Sequence, residues 1–181
     1  MSISRRTILK YGLGGALLLG AAGTGIALQR TRLRQPARPL RALDQRTFSI
    51  LAAVADRITP GTHGFPSAAT LEVPEKIDDL LSRAEPGLLD EMRQALLLVE
   101  NGLAGLLFDG RPRPFTALSP EGQDAALRSM KESALPIRRT VYKALQGLCA
   151  AVYYASPEIY PLVGYPGPPD FGNLAAVGDR P

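Results

Sequence analysis

The spacing of apolar residues between Leu43 and Tyr153 constrains the fold of this chain more than any other feature. Phe48, Leu51, Val54 (or Ala55) and Ile58 recur every three or four residues, and Ile77, Leu80 and Leu81 repeat the pattern. So do Leu88, Met92, Leu96, Val99, Leu103 and Leu106, then Ala125, Leu127 and Met130, then Ile137, Val141, Leu145, Leu148, Cys149, Val152 and Tyr153. That period places one apolar stripe along a helix, whereas strands need alternation, and no alternating stretch longer than about four residues occurs. The breaks between the runs carry helix-end chemistry. Asp44 is a good N-cap, and Thr59-Pro60-Gly61 stops the first helix. Pro74, with Glu75 in the first turn, suits a second start, and Glu85-Pro86-Gly87 ends that helix. Asp109 to Pro114 is a further break, Ser119-Pro120 a further start, and the last helix runs from about Pro136 to Ala155. The expectation is an all-α, compact bundle of about five helices. The run from Leu88 to Phe108 is apolar over the broadest arc, through Leu89, Leu97, Leu98 and Leu107, which predicts that it is central to the core or covered by a partner. Asn101-Gly102 and Gly105 interrupt it.

The bundle is preceded by a segment of different character. Ser4-Arg5-Arg6-Thr7-Ile8-Leu9-Lys10 leads into eighteen uncharged, mostly apolar residues, Tyr11 to Leu28. This pattern resembles the twin-arginine export signal, with Arg5, Arg6, Leu9 and Lys10 at its defining positions and Ile8 where Phe is usual. As a helix the apolar run would reach about 27 Å, barely the ~30 Å of a bilayer's hydrocarbon layer. Its six glycines each cost up to ~1 kcal/mol of helix stability relative to alanine in water. Both facts favour a signal cleaved after Ala27 within Gly25-Ile26-Ala27. Gly12, Ala16 and Gly20 lie on one face at the spacing used by packed membrane helices, so a retained anchor is the alternative. Residues 29–41 form a basic linker with Pro36 and Pro39, expected to be extended or disordered. The organisation is thus signal or anchor (1–28), linker (29–41), helical domain (42–155) and a proline- and aromatic-rich tail (156–181). The tail holds six of the sixteen prolines with Tyr160, Tyr165 and Phe171, rings suited to docking in a groove of this domain or of another chain.

The formal charge of +4 does not describe the domain. Residues 1–41 hold eight Lys/Arg and no acid, leaving 13 Lys/Arg against all 17 Asp/Glu in residues 42–181, a net of −4. A basic face for nucleic acid is therefore not expected. One cysteine, Cys149, excludes an internal disulfide, and with one histidine, His63, the usual zinc frameworks are excluded too. Cys149 lies in an apolar helical run and reads as a buried thiol; His63 lies in a loop and reads as solvated. Gly12-Leu13-Gly14-Gly15 follows no strand, so it is not a dinucleotide fingerprint. Asp78-Asp79 and Asp90-Glu91 are adjacent acids pointing about 100° apart on their helices, and read as solvated faces. Arg138-Arg139 reads as surface and Tyr153-Tyr154 as core plus rim. No catalytic, cofactor-binding or metal-ligating constellation emerges. An exported helical chain without one is most simply the partner of a protein that has one.

Four blocks carry a resemblance. They are Leu43 to Pro60, containing Ile50-Leu51-Ala52-Ala53-Val54-Ala55-Asp56-Arg57-Ile58-Thr59-Pro60; Val73-Pro74-Glu75-Lys76-Ile77-Asp78; Phe115-Thr116-Ala117-Leu118-Ser119-Pro120; and Gly164-Tyr165-Pro166-Gly167-Pro168. In this order, behind a twin-arginine signal, they resemble the gluconate 2-dehydrogenase subunit 3 family, the small or gamma subunits of bacterial flavin-dependent sugar and alcohol dehydrogenases. The tail departs from the family pattern in lacking a Trp ahead of Gly164, and the chain is short for the group. The resemblance implies a non-catalytic subunit with no cofactor of its own. FAD would lie in a large subunit, and haem in a cytochrome c subunit in many complexes. It further implies that this chain binds the large subunit, assists its maturation and supplies the signal to the export translocase for both, giving a periplasmic complex. The expected docking residues are Tyr160 and Gly164, Tyr165, Pro166, Gly167 and Pro168. The alternative is a membrane-anchored structural subunit of another redox or energy-transducing complex, with residues 11–28 retained; an autonomous periplasmic enzyme or binding protein is a third reading.

Overall fold

Helix caps set the frame. In the computed structural model, which describes residues 31–62, 64–101, 105, 110 and 113–168, Asp44 Oδ1 accepts the Thr47 N–H at 2.7 Å and opens α1, Gln45–Ile58. Proline in the first turn then opens α2 (Val73–Leu81), α3 (Pro86–Glu100), α4 (Pro120–Glu132) and α5 (Pro136–Tyr154), where its missing N–H costs nothing. Ser119 caps α4 through the Gly122 N–H. Short 3₁₀ turns cover Phe115–Ala117 and Pro161–Val163. Among the described residues there are five α-helices and no strand, as the periodicity predicts.

The break at Thr59 to Gly61 falls where expected, and its geometry demands glycine. Gly61 adopts φ +74°, and a Cβ there would lie 2.7 Å from the Ser67 backbone nitrogen. The second helix ends at Leu81, ahead of the expected stop at Glu85-Pro86-Gly87, and Pro86 begins the next helix.

The centre of the bundle is α1. Every residue from Thr47 to Ala55 is buried, and α2, α3, α4, α5 and the Phe115 turn all pack on it. Ala52, Ala53 and Ala55 let neighbours approach from several sides, while Phe48, Ile50, Leu51 and Val54 fill the space between them. The run from Leu88 to Phe108 is expected to be central to the core or covered by a partner; of it, residues 102–104 and 106–108 lie outside the described residues, and the described part is not central. Instead α3 ends at Glu100, with Asn101 in extended conformation, and buries fully only Leu96, Val99 and Glu100. Leu88 and Leu97 stay exposed. The physical reason lies in the surroundings: three alanines let four helices close on α1, whereas α3 packs chiefly on α1 and the Phe115 turn.

On α5, Val141, Leu145, Cys149 and Tyr153 face the core. The Tyr153 hydroxyl donates to the Pro66 carbonyl at 2.7 Å, and Tyr154 is exposed, the expected core and rim. Arg138, read as a surface residue, is buried. Burial pushes the Cys149 thiol up to about 12, so at neutral pH it is a protonated, small apolar side chain. His63 lies outside the described residues, as do residues 1–30.

Candidate functional site

Two faces of the domain carry features beyond packing, and they lie on opposite sides of α3. The first is a strap. Residues 31–43 have no regular structure, as the linker composition predicts, but they are held along the domain at every few residues. Six backbone N–H groups are accepted by side chains: Arg32 by Thr116 Oγ1 (2.9 Å), Arg34 by Ser49 Oγ (2.9 Å), Ala37 by Glu75 Oε1 (3.1 Å), and Arg41, Ala42 and Leu43 by the Asp78 carboxylate (2.6, 3.1 and 2.7 Å). Arg93 of α3 donates to the Ala42 carbonyl. Around these run ion pairs: Arg34 with Asp56 (2.6 Å), Arg38 with Asp79 (2.8 Å) and Arg41 with Asp79 (3.4 Å). Each pair is partly solvated, so it contributes at most about 1 kcal/mol.

Asp78 and Asp79 thus correct the sequence reading of a solvated pair. They point in different directions, yet both meet the strap, which is wide enough to occupy both. Asp78 is only 2% exposed and would be costly to bury unpartnered; three N–H donors satisfy it. A signal for this was present, because Pro74, Ile77, Asp78 and Leu81 share one helical stripe and place an acid among core positions. Glu75 and Glu100 are buried acids too, and Glu100 accepts the Thr116 N–H (2.9 Å) and hydroxyl (2.6 Å), while that hydroxyl in turn accepts Arg32 N–H. Asp90 and Glu91 are exposed, as expected, with Asp90 bonded to Arg93.

The second face is apolar. Both α3 and α5 lean on α1 while making little contact with each other, and between them lies a groove of about 450 Å³. Leu88, Met92, Ala95 and Leu98 line one wall, Ile137 and Val141 the other. Leu88 is 52% and Ile137 59% exposed, high for side chains of their size. At about 100° per residue, Ala95 lies roughly 160° around α3 from Arg93, so strap and groove flank the same helix from opposite sides. Among the described residues the one charged side chain in the lining is Glu91, which would repel a pyrophosphate or another anion.

The tail begins as a compact knuckle. Ile159 and Ser156 are buried at its base, and Lys76 Nζ donates to Ser156 Oγ at 3.0 Å. The chain reverses at Gly164, φ +71°, and the Tyr165 N–H donates to the Tyr160 carbonyl at 2.8 Å. Tyr160 and Tyr165 stack edge to face at 5.1 Å, and Gly167 lies against the Tyr160 ring. The two rings therefore pack on each other rather than into a groove of this domain. Leu162, Val163 and Tyr165 remain exposed, the last 45%. The structure brings together Tyr160, Gly164, Tyr165, Pro166, Gly167 and Pro168, whereas Arg5, Arg6, Leu9 and Lys10 lie outside the described residues.

Among the described residues no group of three or more His, Cys, Asp or Glu gathers as a metal site, and no helix is long and apolar enough to cross a membrane. Neither the curated proteins nor the solved structures yielded a match to this chain. The family model described as gluconate 2-dehydrogenase subunit 3 matches residues 45–167, about two thirds of the chain, from the start of α1 through the Tyr165 knuckle. The chain belongs to the gluconate 2-dehydrogenase subunit 3 family, that of an accessory subunit of a dehydrogenase complex.

Proposed function

We propose that this chain is the non-catalytic small subunit of an exported flavin-dependent dehydrogenase, docking on the FAD-carrying large subunit and assisting its maturation. The family match over residues 45–167 carries the reading. Two features of the surface support it: an apolar groove whose walls expose Leu88 and Ile137, and an aromatic knuckle whose tip exposes Leu162, Val163 and Tyr165. Apolar surface of this kind marks association sites. Docking through Tyr160, Gly164, Tyr165, Pro166, Gly167 and Pro168 uses a rigid, preformed aromatic surface that loses little freedom on binding. FAD, and haem c where a cytochrome subunit is present, belong to the partners.

In this reading Arg5, Arg6, Leu9 and Lys10 present the complex to the twin-arginine translocase, and the assembled subunits function in the periplasm. The small-residue face of Gly12, Ala16 and Gly20 favours one second reading, in which residues 11–28 stay as an inner-membrane anchor of another redox complex.

The test is fractionation of cells carrying R5K/R6K. Both this chain and a flavoprotein dehydrogenase should remain in the cytoplasm. Retention of this chain alone, with the flavoprotein still exported, would overturn shared export. N-terminal sequencing of the exported chain separates the two readings, a start near Leu28 meaning a cleaved signal and a start at the original N-terminus an anchor.

A further inference from the structure

We propose that residues 31–43 are a folding-gated latch, closed only while α1, α2 and α3 are assembled and released as a free basic chain when α2 leaves its place. By composition this segment cannot hold a structure of its own: residues 31–43 carry four arginines and two prolines, with no apolar periodicity. Its order comes wholly from outside. The acceptors of its N–H groups are side chains of α1 (Ser49), α2 (Glu75, Asp78) and the Phe115 turn (Thr116), and α3 adds Arg93. Side chains of α2 accept four of the six N–H groups, and Ser49 and Thr116 accept the other two.

The strap's donors meet side chains, whereas helix donors meet backbone, so a few side chains control it. Among the polar contacts Asp78 dominates, because it is buried and takes three adjacent N–H groups, whereas the Asp56 and Asp79 ion pairs are solvated and weak; Leu43 seats the strap's end in the core beside it. The latch therefore reports assembly of α1 to α3. Its use, to tie the strap's position to the folding of the domain before export, rests on the export reading above; the latch itself does not.

Hydrogen exchange on the purified full chain tests it without partner or translocase. In the wild type, amides of Arg41, Ala42 and Leu43 should exchange at least a hundredfold more slowly than in a free peptide. In Asp78→Ala the Arg41 and Ala42 amides should approach the free rate while α1 amides stay at least a hundredfold protected, and trypsin should cut after Arg41. Free-peptide exchange of the strap in the wild type would overturn the proposal, as would equal loss of protection in strap and α1 in the variant. Should Asp78→Ala not fold, the wild type in rising urea decides. Strap amides losing protection together with α2 amides supports the latch, and strap amides still protected after α2 has opened contradicts it.

Discussion

The two sides of α3 are finished differently. On the Arg93 side, buried carboxylates of α2 and α3, aided by Ser49 and Thr116, satisfy the donors of an otherwise structureless strap, and no buried side-chain polar atom among the described residues lacks a partner. On the Ala95 side, leucine, methionine and isoleucine line a groove that the described residues leave uncovered. A polar face completed from within contributes to stability. An apolar face left open contributes little to stability and is available for association. The division predicts that substitutions on the two sides separate into folding effects and binding effects.

The largest effect on stability falls on the strap side. Asp78→Ala leaves three N–H groups without their acceptor and should lower unfolding free energy by about 2–4 kcal/mol, measured by urea titration. On the groove side, Ile137→Asp should leave the urea midpoint nearly unchanged, since an exposed substitution moves stability by about 0.5 kcal/mol or less. The same change should weaken capture of the partner subunit at least tenfold. An Ile137→Asp chain that unfolds, or one that binds as well as wild type, would break the comparison. Gly61→Ala tests the α1 to α2 turn, and its positive φ and the clash with Ser67 should cost about 1–3 kcal/mol.

Smaller effects sharpen the strap side. Asp79→Asn removes only solvated ion pairs and should cost less than about 1 kcal/mol, with the difference shrinking in high salt. The Thr47 N–H holds the Asp44 carboxyl below its ordinary range. Its stabilisation is therefore complete above the ordinary carboxylate pKa and is lost as pH falls through the lower folded value. Asp44→Asn, still a good cap, should change neutral stability little and flatten the acid limb of a stability–pH curve.

Much of this architecture is legible in the sequence. Asp44, Ser119 and the prolines at helix starts mark boundaries that the structure keeps, because capping is a local interaction. The matched family was legible in short blocks such as Gly164 to Pro168. The order of burial was not. Leucine content favours the Leu88 run as central or covered by a partner, whereas the centre went to the alanine-bearing α1, a choice that depends on what surrounds it. The strap was illegible for the same reason. Residues 31–43 look unfoldable alone, and the role of Asp78 depends on a segment thirty-five residues upstream that supplies its donors. Only its position on the stripe of Pro74, Ile77 and Leu81 hinted at burial.

Native purification through an affinity tag at the C-terminus, from the extract of an expressing cell, tests the central claim most directly. The account predicts that the chain elutes with a larger flavoprotein dehydrogenase in fixed ratio, with flavin absorbance and substrate-dependent dye reduction, and that Ile137→Asp depletes that subunit. Elution of the chain alone, without flavin and without a dehydrogenase subunit, would contradict it.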